Sequence, residues 1–143
     1  MNAQECIRTL DLRPHPEGGF FRETWRAPTV GDERATGTAI YYLLEAGPGS
    51  HWHRVDATEI WHYYAGAPLE LSLARNPESA DTLVLGSDLA RGQRPQIVID
   101  AQVWQSARTL GEFTLVGCTV SPGFEFSGFV MADRGWTPSG QSS

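Results

Sequence analysis

The chain has 143 residues, of which 41% are hydrophobic and 20% are charged, and its formal net charge at pH 7 is −6. This length predicts one folded domain, and this composition is that of an ordinary globular protein rather than a disordered one. The acidic balance excludes nucleic acid as an expected partner, because a negative surface repels a phosphate backbone. The longest apolar run, 38–44, is too short to cross a bilayer, so no membrane partner is expected.

The cysteines and the first residues bear on the cellular compartment. Cys6 and Cys118 are too few for a disulfide framework, and neither belongs to a pair with metal-binding spacing. The opening residues, MNAQE, have neither the basic segment nor the apolar segment of a secretory signal. We therefore expect a soluble, cytoplasmic protein.

The predicted elements begin with a short helix at 3–9, which the prolines at 14 and 16 prevent from continuing. Behind it the chain consists of short alternating segments separated by turn-forming residues, and one helical turn is predicted at 87–92. So many short strands with so little helix predict a β-sandwich or a closed barrel. We expect one domain over 1–136 and a flexible tail over 137–143. The predicted strands are 20–26, 36–45, 51–55, 59–64, 69–74, 82–85, 96–99, 103–108, 112–120 and 124–131.

Three of the four histidines lie close together, in the segment that runs from His51 to His62. Side chains two residues apart on a strand share a face, so His51 and His53 should project together, and a tight turn can return Glu59 beside them. Two imidazoles and a carboxylate on one face can hold a divalent metal with open positions. The same groups can instead form a general acid–base pair, and both interpretations stay open. His62 should face away from Glu59.

The segment 49–66 (GSHWHRVDATEIWHYYAG) resembles the first motif of the cupin superfamily. Two further segments, 12–26 (LRPHPEGGFFRETWR) and 115–129 (LVGCTVSPGFEFSGF), resemble a subgroup of small uncharacterised cupins known as DUF985. The resemblance covers about residues 9 to 131. It implies an all-β cupin (RmlC-like) fold, a double-stranded β-helix or jelly-roll barrel with a short N-terminal helix, which usually forms a homodimer.

The resemblance also bears on a metal. The second motif of the superfamily supplies a further histidine ligand, and Gln105 stands at the corresponding position of this chain. An amide oxygen is a weaker ligand than imidazole for transition metals. The resemblance therefore implies at most a weakly held divalent metal on His51, His53, Glu59 and Gln105, and no other cofactor.

The remaining candidate residues follow from the same pattern. His53 is the candidate base, Glu59 its orienting group or a second proton carrier, and Tyr63 a candidate acid. Arg22 and Glu23 lie on opposite faces of one predicted strand, so one of them should reach the pocket, where Arg22 would polarise a carbonyl. The candidate pocket walls are Trp61, Trp104 and Phe126, because binding sites are mostly apolar with a few polar groups.

Three functions are compatible with these residues. The leading hypothesis is an isomerase or epimerase that acts on a polar, sugar-like metabolite by His/Glu acid–base chemistry, by analogy with epimerase cupins. The first alternative is an Fe(II)-dependent oxygenase that uses His51, His53 and Glu59 as a facial set. The second is a non-catalytic cupin that binds a small-molecule ligand.

Overall fold

The structure is a computed structural model that describes residues 1–138. Of the predicted tail 137–143, residues 139–143 lie outside the described residues, and the domain boundary at 136 stays a prediction. The described residues contain one α-helix, α1 (Ala3–Leu10), and two 3₁₀ turns (Leu89–Arg91 and Phe126–Gly128). The strands are β1 (Arg13–Pro14), β2 (Phe20–Arg26), β3 (Thr38–Glu45), β4 (His53–Val55), β5 (Thr58–Gly66), β6 (Leu69–Asn76), β7 (Ser79–Leu85), β8 (Gln96–Ile99), β9 (Trp104–Thr109), β10 (Phe113–Ser121) and β11 (Phe129–Met131).

The strands form two antiparallel sheets. One has the order β1-β2-β3-β10-β5-β8 and the other has the order β11-β4-β9-β6-β7. Alternating side chains give each sheet an inward face, and the two inward faces together enclose the interior of the sandwich. The predicted all-β jelly-roll architecture with a short N-terminal helix is confirmed.

The helix α1 covers one end of the first sheet from outside. Asn2 caps it by accepting a hydrogen bond from the backbone N–H of Glu5 at 2.9 Å. The chain leaves the helix at Asp11, whose left-handed backbone conformation (φ 54°) redirects it towards β1. The helix packs through Cys6 and its neighbours on an apolar patch of the sheet formed by Leu43, Phe113 and Leu115. This packing fixes the start of residues 11–19, which run from the helix to the mouth of the interior.

An apolar core fills part of the interior. It is built from inward side chains of both sheets, most of which are aliphatic. Strands β6, β7 and β8 supply several of its most buried members, which are Leu69, Leu71, Leu85 and Ile99. Next to this core, the inward positions of β3, β4, β5 and β10 are smaller or polar, and the interior there is open.

Two of the differences between the predicted and the observed strands bear on the predicted site residues. The strand predicted at 51–55 begins only at His53, because residues 51 and 52 precede the pairing with β9 and β11. The strand predicted at 124–131 is reduced to β11, since residues 126–128 form a 3₁₀ turn. Residues 123–129 therefore pass over the open part of the interior, and we name them the flap. None of the described helices has the length and apolarity needed to cross a membrane.

Candidate functional site

A cavity of about 710 Å³ opens between the two sheets beside the core. Its walls are mainly apolar, and its floor is formed by polar side chains. The flap and β2 flank its mouth. The apolar wall residues are Phe21, Ile40, Val55, Val120, Phe124, Phe126 and Phe129.

The loop between β1 and β2 delivers two side chains to this floor. The backbone N–H of His15 donates to Gly19 O at 2.9 Å, and that of Gly18 donates to His15 O at 3.0 Å. Gly19 has φ 77°, and a Cβ there would lie 2.6 Å from Leu43 O, so only glycine fits this close approach. The tight turn directs the Glu17 side chain inward, where the residue is 8% exposed.

Glu17 and His53 form a buried ion pair on the floor. Glu17 Oε2 lies 2.7 Å from His53 Nε2, and both side chains are almost fully buried. The other ring nitrogen of His53, Nδ1, lies 2.8 Å from the carbonyl oxygen of His51 and donates to it. Glu17 Oε2 makes no aligned hydrogen bond with any described residue, so charge attraction rather than hydrogen-bond geometry holds the contact. Phe129 stacks on the imidazole with a centroid distance of 5.3 Å.

Burial and the neighbouring charges set the protonation of this pair. Burial disfavours the imidazolium, but the carboxylates of Glu17 and Glu59 and the carbonyl of His51 outweigh it and raise the pKa of His53 to about 9. Burial acts to raise the pKa of Glu17, yet the positive charge of His53 beside it lowers the pKa below its usual range. At neutral pH the pair is therefore a protonated His53 beside an ionised Glu17.

Glu59 is the second buried carboxylate of the floor, and a chain of hydrogen bonds holds it from behind. Gln105 Nε2 donates to Glu59 Oε1 at 2.9 Å, and Trp61 Nε1 donates to Gln105 Oε1 at 3.1 Å. These two bonds together fix which end of the Gln105 amide faces Glu59. Burial, with the nearby charge of Glu17, raises the pKa of Glu59 despite the positive charge of His53. The two carboxylates thus have pKa values shifted in opposite directions.

His15 and Tyr42 complete the floor. The backbone N–H of Glu17 donates to His15 Nδ1 at 3.1 Å, so the neutral ring carries its proton on Nε2. Burial lowers the pKa of His15, which keeps the ring neutral. The Tyr42 hydroxyl donates to Gly18 O at 2.6 Å, and burial raises its pKa well above the usual value.

Charged side chains surround the mouth of the cavity. Arg13 pairs with Asp11 at 3.2 Å, and Arg26 pairs with Glu23 at 2.6 Å. Arg22 makes a different contact, since its Nη1 donates to the carbonyl oxygen of Leu10 at 3.2 Å. The five charged side chains named here all line the cavity.

Two arginines also hold the flap. Arg34 Nε donates to Gly123 O at 2.8 Å, and Arg26 Nη2 donates to Phe124 O at 3.0 Å. Arg34 further pairs with Asp56 at 2.8 Å and with Glu125 at 3.3 Å. The position of the flap over the cavity therefore depends on these arginines as well as on its own phenylalanines.

Five of the predicted site residues line the cavity: Arg22, Glu23, His53, Glu59 and Phe126. Both Arg22 and Glu23 do so, although only one of them was expected to reach the pocket. The register of β2 against β3 shifts between Glu23 and Trp25, and such a bulge redirects neighbouring side chains.

The other predicted site residues lie elsewhere. Trp61 and Gln105 are buried behind the floor, which they support through Glu59. Trp104 precedes Gln105 on β9 and so faces out of the sandwich, where it packs on Trp136 at 5.0 Å between ring centroids. Neither Trp61 nor Trp104 is a wall of this cavity.

Tyr63 and His51, both predicted site residues, do not reach the cavity. Tyr63 shares a face of β5 with Glu59 but lies four residues further along, roughly 13 Å away at the rise of a strand. Its hydroxyl donates to Gly66 O at 2.6 Å and does not line the cavity. His51 precedes β4, so strand alternation does not apply to it, and its Nε2 lies 2.7 Å from Ala132 O in a separate recess.

Sequence reasoning did not identify Glu17 or His15 as site residues. Both lie inside the quoted segment 12–26, and the signal was an acidic residue directly before Gly18 and Gly19. Two consecutive glycines indicate a tight turn, but a turn alone does not say which side chain points inward. The partner that draws Glu17 inward is His53, which is distant in the sequence.

The predicted metal donors do not fit a metal site. His51 points into the separate recess, both ring nitrogens of His53 are engaged, and Gln105 is bonded between Trp61 and Glu59. Among residues 1–138, no group of three or more His, Cys, Asp or Glu side chains is arranged to hold a metal ion. Cupins often bind metals, and this chain departs from that pattern in the placement of its donors.

Comparisons with known proteins agree with this architecture. No curated protein matches the chain. Protein SO0799 from Shewanella oneidensis has a similar crystal structure, with 39% identity and a TM-score of 0.87 over 92% of this chain and 85% of that one. A hypothetical protein from Leishmania major shares 28% identity with a TM-score of 0.86, over 95% of this chain and 90% of that one.

A more distant structure shares only the fold. Oxalate decarboxylase from Bacillus subtilis has 12% identity and a TM-score of 0.63, and the match covers 85% of this chain but 30% of that one. The family model described as Cupin superfamily (DUF985) matches residues 4–132. With its two-sheet jelly roll and this match over most of its length, the chain belongs to the DUF985 family of the cupin superfamily.

Proposed function

We propose that the chain is an isomerase- or epimerase-like enzyme that moves a proton on a small carbonyl compound bound in the cavity. The observation that supports this best is the cluster of Glu17, His53 and Glu59, three buried ionisable groups at the floor of a cavity whose walls are mainly apolar. Burial of ionisable groups costs free energy, and clusters of such buried groups are common at active sites.

The two carboxylates supply the two roles that the reaction needs. Removal of a proton beside a carbonyl needs an ionised base, and its return needs a group that still carries a proton. The lowered pKa of Glu17 makes it the ionised carboxylate, and the raised pKa of Glu59 favours its protonated form. Pairs of titratable groups whose environments shift their pKa values apart are characteristic of acid–base enzymes.

The reaction is balanced without a co-reactant. Glu17 takes the proton from carbon, and the electron pair of the broken C–H bond moves onto the carbonyl oxygen to form an enolate. Glu59 then gives a proton to carbon, which restores the carbonyl. Proton exchange between the two carboxylates through solvent or product returns the enzyme to its starting state.

His53 acts in this scheme as a fixed positive charge rather than as the base. One of its ring nitrogens donates to the His51 carbonyl and the other faces Glu17, so neither is free for a substrate proton. A buried imidazolium next to the forming enolate stabilises the negative charge that appears in the transition state. This role replaces the expectation that His53 is the base.

The test is exchange of substrate hydrogen with solvent. Small 2-oxo acids, hydroxyketones and aldoses are screened for binding by thermal shift, and the ones that bind are incubated in D₂O and followed by ¹H NMR. The wild-type protein should exchange the hydrogen beside the carbonyl, and Glu17→Gln and Glu59→Gln should each slow exchange by at least about 100-fold. Glu112→Gln, at an exposed position outside the cavity, is the matched control and should exchange normally.

The alternative is a cupin that binds a small molecule without reaction. The engagement of both ring nitrogens of His53 favours this alternative, because no histidine base faces the cavity from that position. Carbonyl compounds that bind tightly to the wild-type protein yet show no exchange would support it and would contradict the enzyme.

We also propose that the chain forms a homodimer through the outer face of its six-stranded sheet. Tyr64 and Val98 are 52% and 55% exposed on this face, and aromatic side chains such as that of Tyr64 are enriched at protein interfaces. Tyr64→Glu with Val98→Glu should convert a dimer to a monomer in sedimentation analysis. A monomeric wild-type protein would contradict the proposal.

A further inference from the structure

Arg22 differs from the other arginines at the mouth of the cavity in having no carboxylate partner among the described residues. Arg13 is neutralised by Asp11 and Arg26 by Glu23. Arg22 makes one hydrogen bond within residues 1–138, from Nη1 to the carbonyl oxygen of Leu10. That bond holds the guanidinium at the cavity edge and leaves its remaining N–H groups available.

The other charged groups of the cavity lie beside groups of opposite charge. On the floor the positive His53 lies 2.7 Å from the negative Glu17. At the mouth, Glu125 lies 3.3 Å from Arg34, which also pairs with Asp56. Arg22 is therefore the arginine of the cavity that forms no ion pair with a carboxylate among the described residues.

Between the mouth and the floor the walls are apolar. Phe21, Phe124, Phe126 and Phe129 supply aromatic surface, and Ile40, Val55 and Val120 supply aliphatic surface. Such walls favour a ligand with a hydrocarbon body, because the apolar surface that the ligand buries against them contributes to its binding free energy. A sugar would have to bury hydroxyl groups there without partners, which is costly.

We infer that the cavity selects small carboxylates with an apolar body, whose carboxylate binds Arg22 at the mouth. One guanidinium matches one negative charge, and its planar set of donors matches the two oxygens of a carboxylate. A phosphate dianion would bring a second negative charge close to Asp11 and Glu23. This substrate class replaces the sugar-like one that was expected from the sequence. It rests on the proposed function in one respect only, namely that the substrate also carries a carbonyl group, which would face Glu17 and Glu59.

The test compares binding of carboxylates and of their neutral amides by isothermal titration calorimetry. The probes are 3-phenylpropionate with 3-phenylpropionamide, and hexanoate with hexanamide. Each carboxylate should bind the wild-type protein at least tenfold more tightly than its amide. Arg22→Gln should abolish this preference while leaving amide binding unchanged, and Arg22→Lys should keep most of it. Arg75→Gln, which removes an exposed arginine paired with Asp100 elsewhere, should change nothing.

Equal affinity for carboxylate and amide, a preference that survives Arg22→Gln, or no binding of any probe at millimolar concentration would each overturn the inference. The probes have no ketone or aldehyde, so their binding does not depend on turnover. Selective binding with no deuterium exchange on any carbonyl compound would overturn the proposed function alone. Exchange on aldoses together with no carboxylate preference would overturn the inference alone.

Discussion

The interior of this sandwich has two regions built on the same alternating strands. In the core region, inward positions of β6, β7 and β8 carry large aliphatic side chains such as Leu71, Leu85 and Ile99, which fill the space. In the cavity region, inward positions of β3, β4 and β5 carry Thr38, His53 and Glu59 instead. The strand pattern is the same in both regions, so the volume and polarity of the side chains decide where the cavity lies.

A series of hydrogen-bonded polar side chains lies at the boundary between the core region and the cavity region. Trp61 belongs to the apolar core but donates through its indole N–H to Gln105, which in turn donates to Glu59. The core therefore positions the floor of the cavity through directed hydrogen bonds. Stability should depend on filled space in the core region and on charge balance in the cavity region.

The largest loss of stability is expected when one charge of the Glu17–His53 pair on the cavity floor is removed. His53→Ala leaves Glu17 ionised and buried without its partner, which should cost about 4 kcal/mol in the free energy of unfolding. The double variant His53→Ala/Glu17→Gln should recover a large part of that loss, because no uncompensated charge remains. Urea unfolding of the two single variants and the double variant gives the coupling. Additive costs would show that the two side chains do not stabilise each other.

The next largest effect is the dependence of the free energy of unfolding on pH. The folded pKa of His53, about 9, is above its ordinary value of 6.5, so its contribution to stability is complete below pH 6.5 and is lost as the pH rises through 9. A shift of this size corresponds to about 3 kcal/mol. The raised pKa of Glu59 also makes stability fall with rising pH, beginning above the ordinary carboxyl value of 4.5.

The measurement is urea unfolding across that window, for the wild-type protein and for Glu17→Gln. The decline should be much smaller in Glu17→Gln, where the carboxylate that raises the pKa of His53 is absent. A wild-type free energy of unfolding that stays constant from pH 6.5 to 9 would contradict the ion pair.

A smaller difference in stability is expected between truncation of a core side chain and truncation of a cavity-wall side chain. Leu71 is fully buried in the core, so Leu71→Ala should cost about 3 kcal/mol by leaving a void. Ile40 lines the cavity and already faces open space on one side, so Ile40→Ala should cost about 1.5 kcal/mol. Thermal unfolding of the two variants side by side measures the difference. Equal losses would mean that the cavity wall is packed as tightly as the core.

The smallest effect on stability is expected in the flap. Phe126 lines the cavity but is 57% exposed, so Phe126→Ala should change the free energy of unfolding by less than about 0.5 kcal/mol. The same variant should weaken binding of 3-phenylpropionate severalfold, because an apolar wall is lost. Calorimetry checks the binding, and unchanged affinity would show that the flap serves the fold and not the ligand.

The strands and their inward faces could be predicted from the sequence because they depend on local alternation. The strands 20–26 and 96–99 have the observed bounds, and Glu59 faces the interior as the pattern requires. His51 shows where this reasoning ends, since alternation holds only inside a strand and β4 begins two residues later. Tyr63 shows a second limit, since a shared face does not mean a shared position along the strand.

The decisive residue of the floor, Glu17, could not be predicted from local pattern. Its position depends on a turn between β1 and β2 and on a partner in β4, which only the three-dimensional fold brings together. The free guanidinium of Arg22 has the same origin, because it depends on which mouth carboxylates pair with Arg13 and Arg26. Long-range charge pairing leaves no periodic signal in a sequence.

The central claim is that Glu17 and His53 form a buried ion pair at the floor of the cavity, and ¹⁵N NMR of the histidine side chains tests it most directly. The His53 ring, assigned with a His53→Gln variant, should stay protonated through neutral pH and titrate near 9 in the wild-type protein. In Glu17→Gln it should titrate well below 9, because the carboxylate that most strongly opposes the effect of burial is absent. Titration of the wild-type ring near 6.5, unchanged by Glu17→Gln, would contradict the account.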